Sequence, residues 1–176
     1  MFSLRRDALA ARDWPSRLWG LAQALEFQVR GARLTDIDQI SRLFEQIDSR
    51  WTSDELSQAA DLLRQLVFLP NAAVLVAVEG RHVLGAAVLA LRPSVAARGL
   101  VGALDMLAVE PQAGWTEVSD ALLREVIRSA RNKGCRVLEA ELPDEPAELA
   151  RWKTQGFAEA GRRLTYSLAR APVGPR

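Results

Sequence analysis

Residues 103–123 read ALDMLAVEPQAGWTEVSDALL. The first seven residues are apolar except for Asp105 and read as a buried strand. Pro111 breaks the run, Gly114 lies in a short loop, and a helix begins near Thr116. A strand that leads through a loop into a helix N-terminus forms a ready anion site. The first N–H groups of a helix lack partners, and its dipole places partial positive charge there. Thr116 reads as the helix cap, with Glu117 and Asp120 in the first turn, an arrangement that answers the helix dipole from within. Strand alternation puts Asp105, Leu107 and Val109 on one face, with Met106 and Ala108 on the other. An acid that shares a face with two apolar residues is unusual for a plain surface position, which makes Asp105 a candidate for proton transfer.

Upstream, residues 73–78 and 83–91 form apolar runs around a Glu79-Gly80 turn and predict a hairpin. Gly85 interrupts the return strand and predicts a bulge or a close backbone approach. His82 sits beside the turn and reads as an exposed strand-end histidine. Before the hairpin, residues 27–32 alternate as a strand. Thr35 then caps a helix with the stripe Ile37, Ile40, Leu43, Phe44 and Ile47. Ser53 caps a second, with Leu56, Ala59, Ala60, Leu63 and Val67 at helical spacing.

Downstream, residues 93–102 read as a loop ahead of the quoted strand. The quoted helix continues through Leu122, Leu123, Val126, Ile127 and Ala130 to a stop at Lys133-Gly134. Residues 137–142 predict a strand, 147–154 a short helix that ends at Gly156-Phe157, and 164–168 a last strand. Cys135 reads as a small apolar residue entering the core. Strands that bracket helices predict an α/β (α+β) domain with a mixed sheet.

The expected division is a helical extension over residues 1–26, a domain over 27–169 and a disordered tail over 170–176. In the extension, Leu18, Leu21, Ala22 and Leu25 share one helical face, widened by Trp19. That face would pack on the domain, or meet a second copy or a partner protein.

A length of 176 residues suits one core. Charge is balanced at +1, which provides no electrostatic reason to expect nucleic acid or an anionic membrane as partner. One cysteine excludes an internal disulfide, and one histidine excludes paired-histidine metal sites. No apolar run approaches the ~20 residues of a membrane span, and charged residues interrupt the N-terminal stretch. The expectation is a soluble cytoplasmic protein.

In element order the chain resembles the GNAT superfamily of acyl-CoA-dependent N-acetyltransferases over residues 27–168. VRGARLTDIDQI (29–40) looks like the family's first strand and helix, and VLVAVEGRHVLG (74–85) like its second and third strands. LDMLAVEP (104–111) looks like the fourth strand entering the cofactor loop. Gln155-Gly156-Phe157 matches the glycine–phenylalanine pair after the family's last helix. The resemblance implies a mostly antiparallel central sheet flanked by helices. It also implies acetyl transfer from acetyl-CoA to a small-molecule or protein amine. The pantetheine arm would run along the fourth strand (Leu107, Ala108, Val109), and the pyrophosphate would sit on the loop and the following helix N-terminus.

The family signature R/Q-x-x-G-x-G/A falls on Gly114, Trp115, Thr116, Glu117, Val118 and Ser119. Gly114 replaces the Arg or Gln, Glu117 replaces the first glycine, and Ser119 is a mild change. A carboxylate about 5 Å from a pyrophosphate repels it by roughly 1–3 kcal/mol per charge. The family's general-acid tyrosine falls on Trp152, which cannot act as an acid, and its helix asparagine falls on Glu145. Tyr166, the only tyrosine, is a substitute candidate, and Asp105 is the candidate base. Two readings stay open: an acetyltransferase with a divergent cofactor loop, and a non-catalytic binding or interaction module on the same fold.

Overall fold

The valine- and alanine-rich runs pair into one five-stranded sheet of order β1-β2-β3-β4-β5. A computed structural model describes residues 26–47, 50–111 and 114–160. The strands are β1 (Gln28–Gly31), β2 (Ala72–Glu79), β3 (His82–Ser94), β4 (Gly99–Val109) and β5 (Cys135–Ala140). The helices are α1 (Ile37–Ile47), α2 (Ser53–Leu66), α3 (Trp115–Asn132) and α4 (Pro146–Thr154). The first four strands are antiparallel neighbours, and β5 joins β4 in parallel after the α3 crossover. This is the expected α+β architecture. The strand expected at 164–168, with Tyr166, lies outside the described residues, as do the extension up to residue 25 and the tail.

Alternation along the strands divides the core in two. Leu75, Ala77, Leu89 and Val109 face α3, which buries Val118, Leu122, Leu123, Val126 and Ala130. Val74, Val76, Val88 and Ala108 face α1 and α2, which bury Ile37, Ile40, Leu43 and Leu63. Each fully buried side chain of this size contributes about 1.5–3 kcal/mol relative to exposure.

Gly85 meets both expectations. Leu84 is the extra residue where the β2–β3 register shifts, between Val78↔Val83 and Ala77↔Gly85. A Cβ on Gly85 would stand 2.9 Å from the Ala108 carbonyl oxygen and 3.1 Å from side-chain carbons of Val118 and Leu122. Glycine therefore lets α3 sit close on the sheet.

Four local expectations need correction. Residues 93–102 are mostly strand: Arg92↔Val101, Pro93↔Leu100 and Ser94↔Gly99 extend the β3–β4 hairpin. Pro93 is tolerated because β2 pairs with β3 only as far as Ala90. Thr35 is not a cap. Residues 34–36 form a 3-10 turn in which Asp36 accepts the Arg33 N–H at 2.7 Å. Asp36 is buried and bidentate with Arg30, at 2.7 and 3.0 Å. The cap of α2 is Thr52 rather than Ser53, in a reciprocal capping box with Glu55. The cap of α3 is Gly114 rather than Thr116, with φ 56° and ψ 53°.

Candidate active site

The last rung of the β4–β5 pairing is Leu104↔Ala140. Beyond it β4 continues for five residues with no paired neighbour on that side among the described residues. The two strands therefore splay and leave a cleft of about 240 Å³. Leu104, Asp105, Met106 and Leu107 form one wall; residues 141–144, Glu148 and Trp152 form the other. Among the described residues, the backbone groups on the β5 side of this stretch of β4 have no strand partner.

A bulge marks the start of the splay. Leu89 pairs with Leu104 and Val88 with Met106, so Asp105 is the extra residue. Simple alternation is broken there. Leu107 and Val109 do share a core face, and Met106 and Ala108 the other. Asp105 belongs to neither and lies exposed in the cleft wall.

The opposite wall is fixed by the end of α4. Phe157 donates its N–H to the Trp152 carbonyl at 3.2 Å, and Gly156 donates to the Lys153 carbonyl at 3.1 Å. With Gly156 at φ 100°, this is a Schellman stop. Its apolar contact is Trp152 against Phe157, with ring centroids 5.2 Å apart. Gln155 Nε2 donates to Asp120 Oδ1 at 3.0 Å and ties α4 to α3. Asp120 thus serves the contact between helices rather than the helix dipole alone. Trp152 is 6% exposed, and its Nε1–H has no hydrogen-bond partner.

At the head of α3, the N–H groups of Trp115 and Thr116 have no intrahelical acceptor, and Gly114 has no side chain to cap them. Glu117 and Val118 already donate to the Gly114 carbonyl, at 3.1 and 3.3 Å. Thr116 and Glu117 are exposed. Val118 and Ser119 are not presented to a ligand: both are buried in the seat of α3. The Arg151 guanidinium lies 4.6 Å from the centre of the Trp115 ring, a cation–π contact that sets a positive charge beside the helix head. Its Nη2 has no hydrogen bond and stands 3.9 Å from Glu148 Oε1.

Sequence reading missed Arg151, Glu141, Asp144 and Glu148. For Glu148 and Arg151 the signal was the spacing on α4, where Glu148, Arg151 and Trp152 at i, i+3 and i+4 share one face; Glu141 and Asp144, in the loop before α4, had no such signal. His82 is not isolated: its Nε2 is 2.7 Å from Glu110 Oε2 on the surface. Burial pushes the Cys135 thiol up, partly offset by Lys133. Among the described residues no group of His, Cys, Asp and Glu could hold a metal ion. No described helix is long and apolar enough to cross a membrane.

The acetyltransferase (GNAT) family profile matches residues 39–157. The chain belongs to this family of N-acetyltransferases. The matched span runs from the third residue of α1 to Phe157 and contains all the described residues that line the cleft. No curated protein matches the chain. Among solved structures, a Trypanosoma brucei acetyltransferase is 20% identical, with TM-score 0.64, over 81% of this chain and 100% of its own. An integron cassette protein from the mobile metagenome of Cole Harbour Salt Marsh is 25% identical, with TM-score 0.69, over 83% and 93%. AAC(6')-Iy in complex with the bisubstrate analogue CoA-S-monomethyl-acetylneamine is 20% identical, with TM-score 0.66, over 82% and 99%. GNAT membership carries acetyl-CoA and an amine acceptor as the family's reactants.

Proposed function

We propose that the chain is an active N-acetyltransferase that joins acetyl-CoA and an amine in the β4–β5 cleft. The observation that carries this reading is the end of strand pairing at Leu104↔Ala140, which opens a backbone edge beside an acidic wall residue. The residues present fit the donor in two places. The edge at Leu107, Ala108 and Val109 offers peptide groups to a pantetheine arm. The uncapped N–H groups of Trp115 and Thr116, with Arg151 beside them, offer positive potential to a pyrophosphate. Arg151 takes over from α4 the cationic role that Gly114 lacks in the loop. Glu117 is a handicap, but its exposure places its repulsion toward the weaker end of the range.

Acetyl-CoA supplies an acetyl group on a thioester. An ammonium acceptor first gives one proton to Asp105, directly or through water. The freed amine forms a C–N bond to the acetyl carbon as the C–S bond breaks. A second proton leaves the nitrogen, and the released thiolate takes up one proton from solvent. Trp152 cannot donate that proton. A thiolate is a far better leaving group than an amine and departs without it, so the missing tyrosine slows turnover rather than abolishing it. Tyr166 remains a proposed proton source in the segment after residue 160.

One observation favours the second reading, a non-catalytic module: Trp152, at the position where the family resemblance expects the general-acid tyrosine, is a buried ring. Calorimetric titration with acetyl-CoA separates the two. Binding in the micromolar to millimolar range is expected for the enzyme, followed by thiol release when amines are added. No heat at millimolar acetyl-CoA rejects it.

A further inference from the structure

The end of the domain opposite the head of α3 is built from stretches that hold no Asp or Glu: residues 62–78, 80–104 and 126–138. The whole chain has 22 acids against 23 bases, so this end departs locally from a balanced charge. Tertiary contacts bring the three stretches together. Leu91 donates its N–H to the Asn71 carbonyl at 2.8 Å, and Lys133 Nζ donates to the Pro70 carbonyl at 3.0 Å. Leu100 pairs with Cys135, and the stem of Arg136 lies over Gly99, where a Cβ would stand 2.8 Å from Arg136 Cγ. Arg98, Arg131, Lys133 and Arg136 therefore share one end. Glu139, further along β5, is bonded to Arg92 at 2.9 Å.

Apolar side chains protrude from the same end. Val95, at the tip of the β3–β4 hairpin, is 97% exposed; Phe68, just after α2, is 71% exposed, with Leu69 beside it at 44%. Single exposed apolar residues are ordinary, but three on an end that also gathers cations make a mixed surface. Two of the arginines sit at backbone irregularities. Arg98 has φ 53°, a left-handed conformation that glycine holds with less strain. Arg136 is the extra residue where the β4–β5 register shifts, between Leu100↔Cys135 and Val101↔Val137. Neither guanidinium has a hydrogen bond or ion pair among the described residues.

These features choose among occupants. The chain's own terminal segments do not suit, because residues 1–25 carry four arginines against two aspartates, and 161–176 four arginines and no acid. A second copy related by a two-fold axis would bring the same cations face to face. Nucleic acid would answer the charge but give Val95, a bare aliphatic side chain, nothing to do. Lipid phosphates take guanidinium and ammonium groups, and the acyl boundary takes protruding apolar side chains without a shaped pocket. We propose that this end docks on an anionic lipid surface, with Val95 and Phe68 entering the acyl boundary and the four cations on headgroup phosphates. α3 runs about 27 Å from head to tail, so the head of α3 stays on the aqueous side. The docking does not depend on the acetyl-CoA reading of the cleft.

The test is sedimentation of the full chain with vesicles of phosphatidylcholine, alone or with about 30% phosphatidylserine. At low salt the partition coefficient should be at least about tenfold higher on the anionic vesicles, and the difference should shrink in about 0.5 M salt. Arg98→Gly with Arg136→Gln should lower it by about tenfold; the first change also relieves the left-handed backbone, which favours folding. Val95→Asp should lower it by about threefold or more, and at an exposed tip it disturbs no packing. Circular dichroism confirms that both variants fold. Equal partition into the two kinds of vesicle, or unchanged partition of both variants, overturns the proposal. So does tighter binding to single-stranded RNA or to polyglutamate than to the anionic vesicles. A low-salt dimer that Arg98→Gly with Arg136→Gln abolishes would also overturn it, by making this end a contact between copies.

Discussion

Leu104 and Ala140 are the last residues to pair across β4 and β5, and Asp105, the next residue along β4, bulges out of the ladder with β3. The end of one pairing and the irregularity in the other coincide. A bulge bends its strand and increases local twist, which turns the rest of β4 away from β5. The cleft is the direct result.

The bulge residue should carry the proton. Asp105→Asn keeps the shape and removes the base. It should lower kcat by about 100-fold with little change in acetyl-CoA affinity, measured by thiol release and calorimetry. A kcat within twofold of wild type would remove Asp105 from the mechanism.

The loop departures should be reversible. Gly114→Arg with Glu117→Gly adds a cation and removes an exposed carboxylate at the head of α3. Acetyl-CoA affinity should rise about tenfold at low salt and less at high salt, because the effect is electrostatic. Unchanged affinity would show that the phosphates lie elsewhere. Arg151→Gln should act in the opposite direction, weakening acetyl-CoA by about three- to tenfold.

Trp152 is the hinge between packing and chemistry. Trp152→Ala should destabilise by about 3–4 kcal/mol in urea unfolding, since it empties the ring's place against Phe157. Trp152→Tyr retains most of the ring volume and places a phenol in the cleft wall. It should raise kcat by about tenfold or more if leaving-group protonation limits turnover.

Stability at acid pH should depend on Asp36. Hydrogen bonds from the Arg30 guanidinium hold its carboxyl below the ordinary range; burial opposes this, and the Arg33 N–H adds to the lowering. With the folded value depressed, the stabilisation is fully present above the unfolded value of about 3.9 and is lost as pH falls through the folded value. Asp36→Asn should cost about 2–3 kcal/mol at pH 7 and flatten the acid limb of the stability curve, followed by urea unfolding across pH.

Gly85→Ala tests the seat of α3. The added Cβ meets backbone at 2.9 Å and cannot be relieved by a side-chain rotation. A loss of about 1–3 kcal/mol is expected, again from urea unfolding.

Residue types and spacing were enough for the element order from β1 to α4, the stripe of α1, the β2–β3 hairpin and the special need for glycine at Gly85. These are local signals: a helical stripe repeats every 3.6 residues, and a strand run is bounded by turn residues. The strand pairing over residues 93–102 was hidden, because Pro93, Arg98 and Gly99 read locally as a loop and only the register with β3 makes them strand. The helix caps were one or two residues off for the same reason, since Ser, Thr and Gly all cap and the tertiary fit chooses among them.

The sequence by itself determined a strand, a loop and an amphipathic helix in the order this family uses, and it supplied Asp105 and Trp152 as the residues to watch. Only the tertiary structure decided that they line one cleft, that Arg151 stands over the Trp115 ring at the head of α3, and that Glu141, Asp144 and Glu148 share the wall. These residues come from β4, the loop after β5, and α4. Their meeting depends on where parallel pairing stops and on how the Schellman stop docks Trp152, which are long-range packing outcomes that no local spacing encodes.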